Sequence, residues 1–455
     1  MYLEKPYLKC LDREGMSMRI AMFTNNYKPF IGGVPISIER LANGLRSLGH
    51  IVYIFAPEYE TRTEDETYII RYKTFQKKMK NGFVYPNSFD PAIEEKFTSL
   101  CFDVIHVHHP MMIGQTALYL SKKYQIPLAY TYHTRYEEYL HYFKFFEKIE
   151  RDIEKNISSI AIKKAENKML LYSKSVLVPK LIRIFTNNCD LVFAPTKMMK
   201  ENLIERGTRT PIEVLPTGLL SSSFIEDEKK SEEIRRKYKN GKKYLLCTTA
   251  RLEREKNLEF LLRGIAELKI QLEGCFQVLI LGDGKQRKEL EELVKQLEIE
   301  DVISFIGSVP NEEIKDYQFA SDLFLFSSKS ETQGIVLLEA MAARNPVIAV
   351  KASGVVDVVE NGKNGFMTEE NISEWAKAAA DVLVNPFLYD SLKEGAKYTA
   401  EQYQTREIAH IAQEVYKEMI QEKQNNKKNK KWSYHYEKGE IQQVIASIKQ
   451  LFVAS

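Results

Sequence analysis

The chain has 455 residues, with 65 Lys and Arg against 62 Asp and Glu and a formal net charge of +3. That length exceeds one ordinary core and predicts about two or three domains. The near-balance of charge excludes the global positive field of a nucleic-acid-binding protein. Five cysteines, at 10, 101, 189, 247 and 275, are odd in number, widely spaced and free of Cys-x-x-Cys. That usage argues against a disulfide scaffold or a zinc site and for a reducing, cytoplasmic setting. With no run of about 18 apolar residues and no charged-then-apolar leader, neither a membrane span nor secretion is expected.

In chain order, Met1 to Ser17 is polar without clear periodicity and is expected as an amino-terminal extension. Strand-like apolar runs then recur at Arg19 to Thr24, Val52 to Pro57, Thr67 to Tyr72, Asp103 to His108, Pro127 to His133 and Leu191 to Thr196. Helical patterns separate them, the first expected over Ser37 to Leu48. This alternation predicts βαβ units in a parallel sheet, a first domain spanning residues 18–217. A charged, breaker-containing stretch, Glu226 to Lys243, precedes a restart with runs beginning at Tyr244, Phe276, Val302, Asp322 and Pro346. They predict a second parallel-sheet domain, residues 218–388. From residue 389 to 455 the pattern is helical and is expected to return to the first domain, with a basic interruption at Gln421 to Lys431 expected as a loop or frayed helix.

The most informative stretch lies between the strand Asp322 to Ser328 and a helix expected over Ile335 to Ala343. Glu331 and Glu339 stand eight residues apart with Gly334 between them, at the carboxyl end of a parallel strand, where open α/β sheets bind ligands. Backbone N–H groups near Gly334 and Ile335 would face an anion with the helix dipole behind them. Glu331 before the helix and Glu339 more than a turn inside it would reach different hydroxyl-bearing parts of one sugar diphosphate. Arg251 and Lys256 close the first strand of the second domain, and a guanidinium fork with an ammonium suits a diphosphate. Gly32 and Gly33 follow the first strand and permit close backbone approach; Gly282 ends another strand as a turn or pocket wall. His133 stands at a strand end, while His106, His108 and His109 lack metal-ligand spacing and are read as pocket lining. The chain has no Asp-x-Asp, so a metal-bridged diphosphate has no obvious carboxylate pair.

Two parallel-sheet domains, Gly32-Gly33 after the first strand, Arg251 with Lys256, and Glu331 with Glu339 together resemble the family-4 retaining glycosyltransferases of the GT-B fold, over roughly residues 18 to 400. The resemblance implies an α/β architecture of two Rossmann-like domains facing a central cleft, with the donor on the second domain and no required cofactor. It implies that Glu331 holds donor-sugar hydroxyls, Glu339 the ribose, Arg251 and Lys256 the diphosphate, that Gly32 or Gly33 meets the phosphate, and that His133 contacts the sugar. The nucleobase is expected near Val309 and Pro310. Ser330 to Gly334, with Gln333 where many relatives carry an aromatic, and Thr131 to Tyr142 look like bacterial enzymes that glucosylate diacylglycerol, which implies UDP-glucose as donor. Beside that stands a physical signal. Residues 144–183 are basic, with Lys144, Lys148, Arg151, Lys155, Lys163 and Lys164 following Tyr139, Tyr142, Phe143, Phe145 and Phe146. Such a surface suits an anionic bilayer at about 1 kcal/mol per charge, and predicts a peripheral protein on the inner face of the cell membrane with a lipid acceptor. A solvated helix with ordinary charge pairs is the alternative for that segment. A soluble relative acting on a glycan, a sugar phosphate or a small hydroxy acid is the alternative for the chain.

Overall fold

The computed structural model describes residues 17–30, 32–60, 67–78, 84–133, 176–329 and 331–429. Strands β1 (Arg19–Phe23), β2 (Ile51–Pro57), β3 (Ile69–Tyr72), β6 (Val104–Val107), β7 (Leu128–Thr131), β8 (Leu191–Ala194) and β9 (Ile212–Val214) form one parallel sheet in the order β3-β2-β1-β6-β7-β8-β9. Between β3 and β6 a small antiparallel pair, β4 (Thr74–Lys78) and β5 (Val84–Pro86), stands apart from it. A second parallel sheet joins β10 (Tyr244–Thr249), β11 (Phe276–Leu281), β12 (Ile303–Gly307), β13 (Leu323–Phe326), β14 (Val347–Val350) and β15 (Gly365–Thr368) in the order β12-β11-β10-β13-β14-β15. Central strands such as β6, β7, β11 and β13 are buried along their whole length, as parallel strands covered on both faces must be, and this is why they read as continuous apolar runs. In both sheets the strand order reverses beside the first strand, between β1 and β6 and between β10 and β13. Those are the crevices where a doubly wound sheet opens for a ligand.

Helix α1 (Gly33–Ser47) starts four residues before the expected Ser37, because Pro35 falls in its first turn, where a missing N–H costs nothing. Gly33 is thus the first residue of the helix rather than part of a loop. The charged stretch after the first domain is also helical, over Glu228–Tyr238. Asp227 accepts from Lys230 N at its start, and Arg235 reaches Asp322 at 2.6 Å. The last helix, Thr405–Asn429, continues into the basic segment expected as a loop or frayed helix, as far as the described residues go.

Helix Pro386–Glu401 packs with the second sheet, and the chain crosses back at Tyr403 to Thr405, pairing with the outgoing crossover through Leu219 N to Tyr403 O at 2.6 Å and Thr405 N to Leu219 O at 2.8 Å. Ile408, Ala409, Ala412, Tyr416 and Met419 then cover the first sheet's face beside Ile20, Ile54 and Phe193. Each large side chain buried this way contributes roughly 1.5–3 kcal/mol. Gly44 makes the approach possible, since a Cβ there would lie 2.8 Å from Ala409. Among the described residues Cys189, Cys247 and Cys275 are free thiols, whereas Cys101 is disulfide-bonded, a departure from the expectation drawn from cysteine spacing.

Candidate active site

The loop after β10 turns through a short 3₁₀ segment, Arg254–Lys256, and Asn257 adopts a left-handed φ of 53° before the next helix, Leu258–Gln271. Hydroxyls from the end of β13 hold this loop, with Ser327 donating to Lys256 O at 2.9 Å and Ser328 to Glu255 O at 3.4 Å. The loops after the two strands flanking the reversal are thereby locked together. Lys256 Nζ makes a short ion pair with Glu331 Oε1, the side chains 15% and 19% exposed. Burial pushes the Glu331 carboxyl up, but the Lys256 ammonium and the Ser328 hydroxyl together outweigh it and hold it below the usual carboxylate range. Arg251 turns to Glu255 at 3.1 Å with its side chain largely exposed.

Gly334 takes a φ of 70° and starts helix Ile335–Ala342, so it supplies the left-handed turn that lets the chain enter that helix. Just before it, Gln333 accepts from Thr217 N at 2.6 Å and donates to Thr217 O at 3.0 Å, a two-point clamp onto the crossover between the domains. Thr332 donates its hydroxyl to the carbonyl of His133 at 3.1 Å, which brings the Glu331 segment against the end of β7. Glu339, on the same helix, pairs with Arg40 of α1 at 2.7 Å.

On the first domain, His133 Nε2 lies 2.8 Å from His108 Nδ1, and the rings of His108 and His106 lie 4.2 Å apart. His106 is fixed by Thr131 Oγ1 at 2.6 Å and by the Tyr416 hydroxyl at 2.7 Å, so it is a buried bracket to the last helix and not the pocket lining expected of it. His109 Nδ1 accepts from Asn25 N at 3.2 Å, anchoring the loop after β1. Burial lowers all four imidazoles, to about 3 for His106 and His109 and well below 6.5 for His108 and His133, so each is neutral near pH 7.

These segments are matched by two family models, Glycosyltransferase Family 4 over residues 31–219 and Glycosyl transferases group 1 over residues 229–399. The alpha-monoglucosyldiacylglycerol synthase of Streptococcus pneumoniae is 31% identical over 340 residues, 73% of this chain and 71% of the relative. The chain belongs to glycosyltransferase family 4. The synthase of the same name from Acholeplasma laidlawii is 29% identical over 422 residues, covering 91% of this glycosyltransferase and 100% of the relative. A crystal structure of Anabaena HepE in complex with UDP and glucose superposes with a TM-score of 0.65 at 18% identity, covering 88% and 100% of the two chains, and shares the fold of two facing Rossmann-like domains, GT-B.

In this glycosyltransferase the structure brings Lys256, Glu331 and, through Thr332, His133 to one edge. Arg251 pairs with Glu255 while its charge also helps to hold the Glu331 carboxyl down, and Glu339 faces the first domain. Gly282 has a packing reason for its identity, because a Cβ would meet Ala250 O at 1.9 Å. Gly33 faces open space, with nothing within 4 Å of a Cβ, whereas a Cβ on Gly32 would touch the Phe30 ring at 3.0 Å. Val309 is half-buried against the second sheet's core. Lys144, Lys148, Arg151, Lys155, Lys163 and Lys164 lie outside the described residues, and among those described no helix is long and apolar enough to cross a membrane. Arg40 is an addition that sequence reasoning missed, as are the partners of two residues it did single out, His133 for His108 and Thr217 for Gln333. Arg40 sits inside a helix next to apolar Leu41 and Ala42, a mild signal on its own, and its partner is 299 residues away.

Proposed function

We propose that this glycosyltransferase moves glucose from UDP-glucose to a diacylglycerol-type lipid at an anionic membrane surface, with retention at the anomeric carbon. The observation that carries the donor half is the Lys256–Glu331 pair at the second sheet's switch point, set against His133 by the Thr332 hydroxyl. The acceptor half is supported by the activity that the names of the two synthases state and by the basic, aromatic composition of residues 139–183.

In this reading the donor diphosphate lies over the start of helix Ile335–Ala342, with Lys256 and Arg251 balancing its charge. Arg251, largely exposed and paired with Glu255, would turn toward the diphosphate. Glu331 accepts from sugar hydroxyls, Glu339 from the ribose, Val309 borders the base, and Gly33 lets backbone N–H groups approach the phosphate from the first domain. Neutral His133 offers one ring nitrogen to the sugar while His108 occupies the other. The acceptor hydroxyl attacks on the face from which the diphosphate leaves, and the departing phosphate oxygen takes its proton. The protein supplies charge stabilisation and positioning, and no cofactor is required.

The test is transfer from radiolabelled UDP-glucose to diacylglycerol in liposomes with and without phosphatidylglycerol, with products separated by thin-layer chromatography. A labelled glycolipid formed only on anionic liposomes is the expected result. UDP release with a soluble acceptor and no lipid product would move the acceptor to a glycan or sugar phosphate.

A further inference from the structure

Arg40 is 4% exposed, on the third turn of α1 in the first domain. A guanidinium that deep must have its charge and its donors matched. Its planar fork meets two acceptors on different parts of the chain. Nη1 donates to the carbonyl of Gly218, at the crossover between the domains, at 3.1 Å, and Nη2 to Glu339 Oε1 at 2.7 Å. Glu339 is held by this one contact among the described residues. Its second oxygen, Oε2, carries no hydrogen bond among them, and its side chain keeps 17% exposure.

We infer that Arg40 is a positioning residue for nucleotide recognition, fixing the Glu339 carboxylate by one oxygen so that the other is presented to the ribose. This rests on the proposed role of Glu339. A glutamate free to rotate loses rotamer entropy when it binds, and an Arg fork bearing on a fixed backbone carbonyl removes that cost beforehand. Because the fork stands on the first domain and the carboxylate on the second, reading the ribose requires both domains to be in place. A lysine has no second, coplanar donor with which to span the carbonyl and the carboxylate at once.

The experiment is calorimetric titration of the full chain with UDP and with 2′-deoxy-UDP, read as the ratio of their dissociation constants. Losing one hydrogen bond to a charged group weakens binding about tenfold, the ratio expected for the wild type. Arg40→Gln is expected to collapse the ratio to below about threefold through loss of UDP affinity, with 2′-deoxy-UDP little changed. Arg40→Lys, which keeps the charge beside Glu339 and so guards against unfolding, is expected to fall between. Equal weakening of both ligands with the ratio preserved would make Arg40 a structural tie only and overturn the inference. Tighter UDP binding in Arg40→Gln would overturn it too, by showing that Arg40 competes with the ribose. A wild type indifferent to the 2′-hydroxyl, matched by Glu339→Ala, would remove the ribose role of Glu339 itself.

Discussion

Lys256 and Glu331 are each other's counter-charge while the donor is absent, and this separates their effect on stability from their effect on turnover. Removing one partner of a mostly buried pair leaves the other less well compensated, at a cost of roughly 1–3 kcal/mol where water still reaches both, below the full figure for a buried pair. Lys256→Met is expected to lower the urea midpoint and to reduce kcat/KM by about 100-fold or more. The double variant Lys256→Met, Glu331→Gln is expected to regain the midpoint and none of the activity. Recovery of activity in the double variant would show that the pair is only structural. That these two residues stand at strand ends of the second sheet was legible in the sequence, because spacing at a strand end needs nothing beyond the local chain, whereas their pairing was not. Arg40 was not legible either, nor was the pairing of His108 with His133, since each partner is one that only the assembled sheets bring near.

At the scale of elements, buried parallel strands announce themselves by composition, and five of the six described strands of the second sheet fall within the runs that predict it, whereas β15, a short strand after the last run, was not expected. Helix Glu228–Tyr238 escaped because its apolar contact with the core is made by two half-buried residues, Ile234 and Tyr238, too few to impose a visible period. The early start of α1 escaped because a proline reads as a boundary although the first turn accepts it. At the ends of β10 and β11 the chains approach so closely that Gly282, at a φ of 128°, admits no side chain. Gly282→Ala is expected to push the Arg251 loop off β11, lowering Tm by about 4 °C or more, on an overpacking cost of about 1–3 kcal/mol. Donor KM should rise with it, and an unshifted melting curve would show that the loop yields freely. The four imidazoles at the ends of β6 and β7 carry a pH signature. Their folded pKa values lie below the unfolded 6.5, so the unfolded chain binds more protons on the acid side. Stability is therefore full above pH 6.5 and declines as pH falls from 6.5 toward about 3. His109→Gln, which keeps an acceptor for Asn25 N, is expected to flatten that decline by up to about 1.4 kcal/mol per pH unit, measured by urea unfolding between pH 7 and 5.

The two domains are tied by Arg40 with Glu339, by Gln333 with Thr217 and by Thr332 with His133, and the crossover segments by the paired backbone at Leu219 and Thr405. The last helix adds a tie of a different kind, because it leaves the second domain and completes the first domain's core. The first sheet therefore lacks part of its own cover until the second domain has delivered the tail, which makes the two cooperative. One calorimetric transition is expected for the wild type. Tyr416 tests this, being fully buried against Phe193 and bonded to His106. Tyr416→Phe gives up one hydrogen bond, about 1 kcal/mol, and should shift the single transition slightly. Tyr416→Ala opens a cavity costing about 3–5 kcal/mol on the first domain alone. If the tail is the main coupling, that loss releases the first sheet early and resolves two transitions, the lower one sensitive to the variant and the upper one stabilised by UDP on the second domain. A single transition lowered as a unit, with UDP raising all of it, would assign the coupling to the ties across the cleft and leave the tail as a local cover.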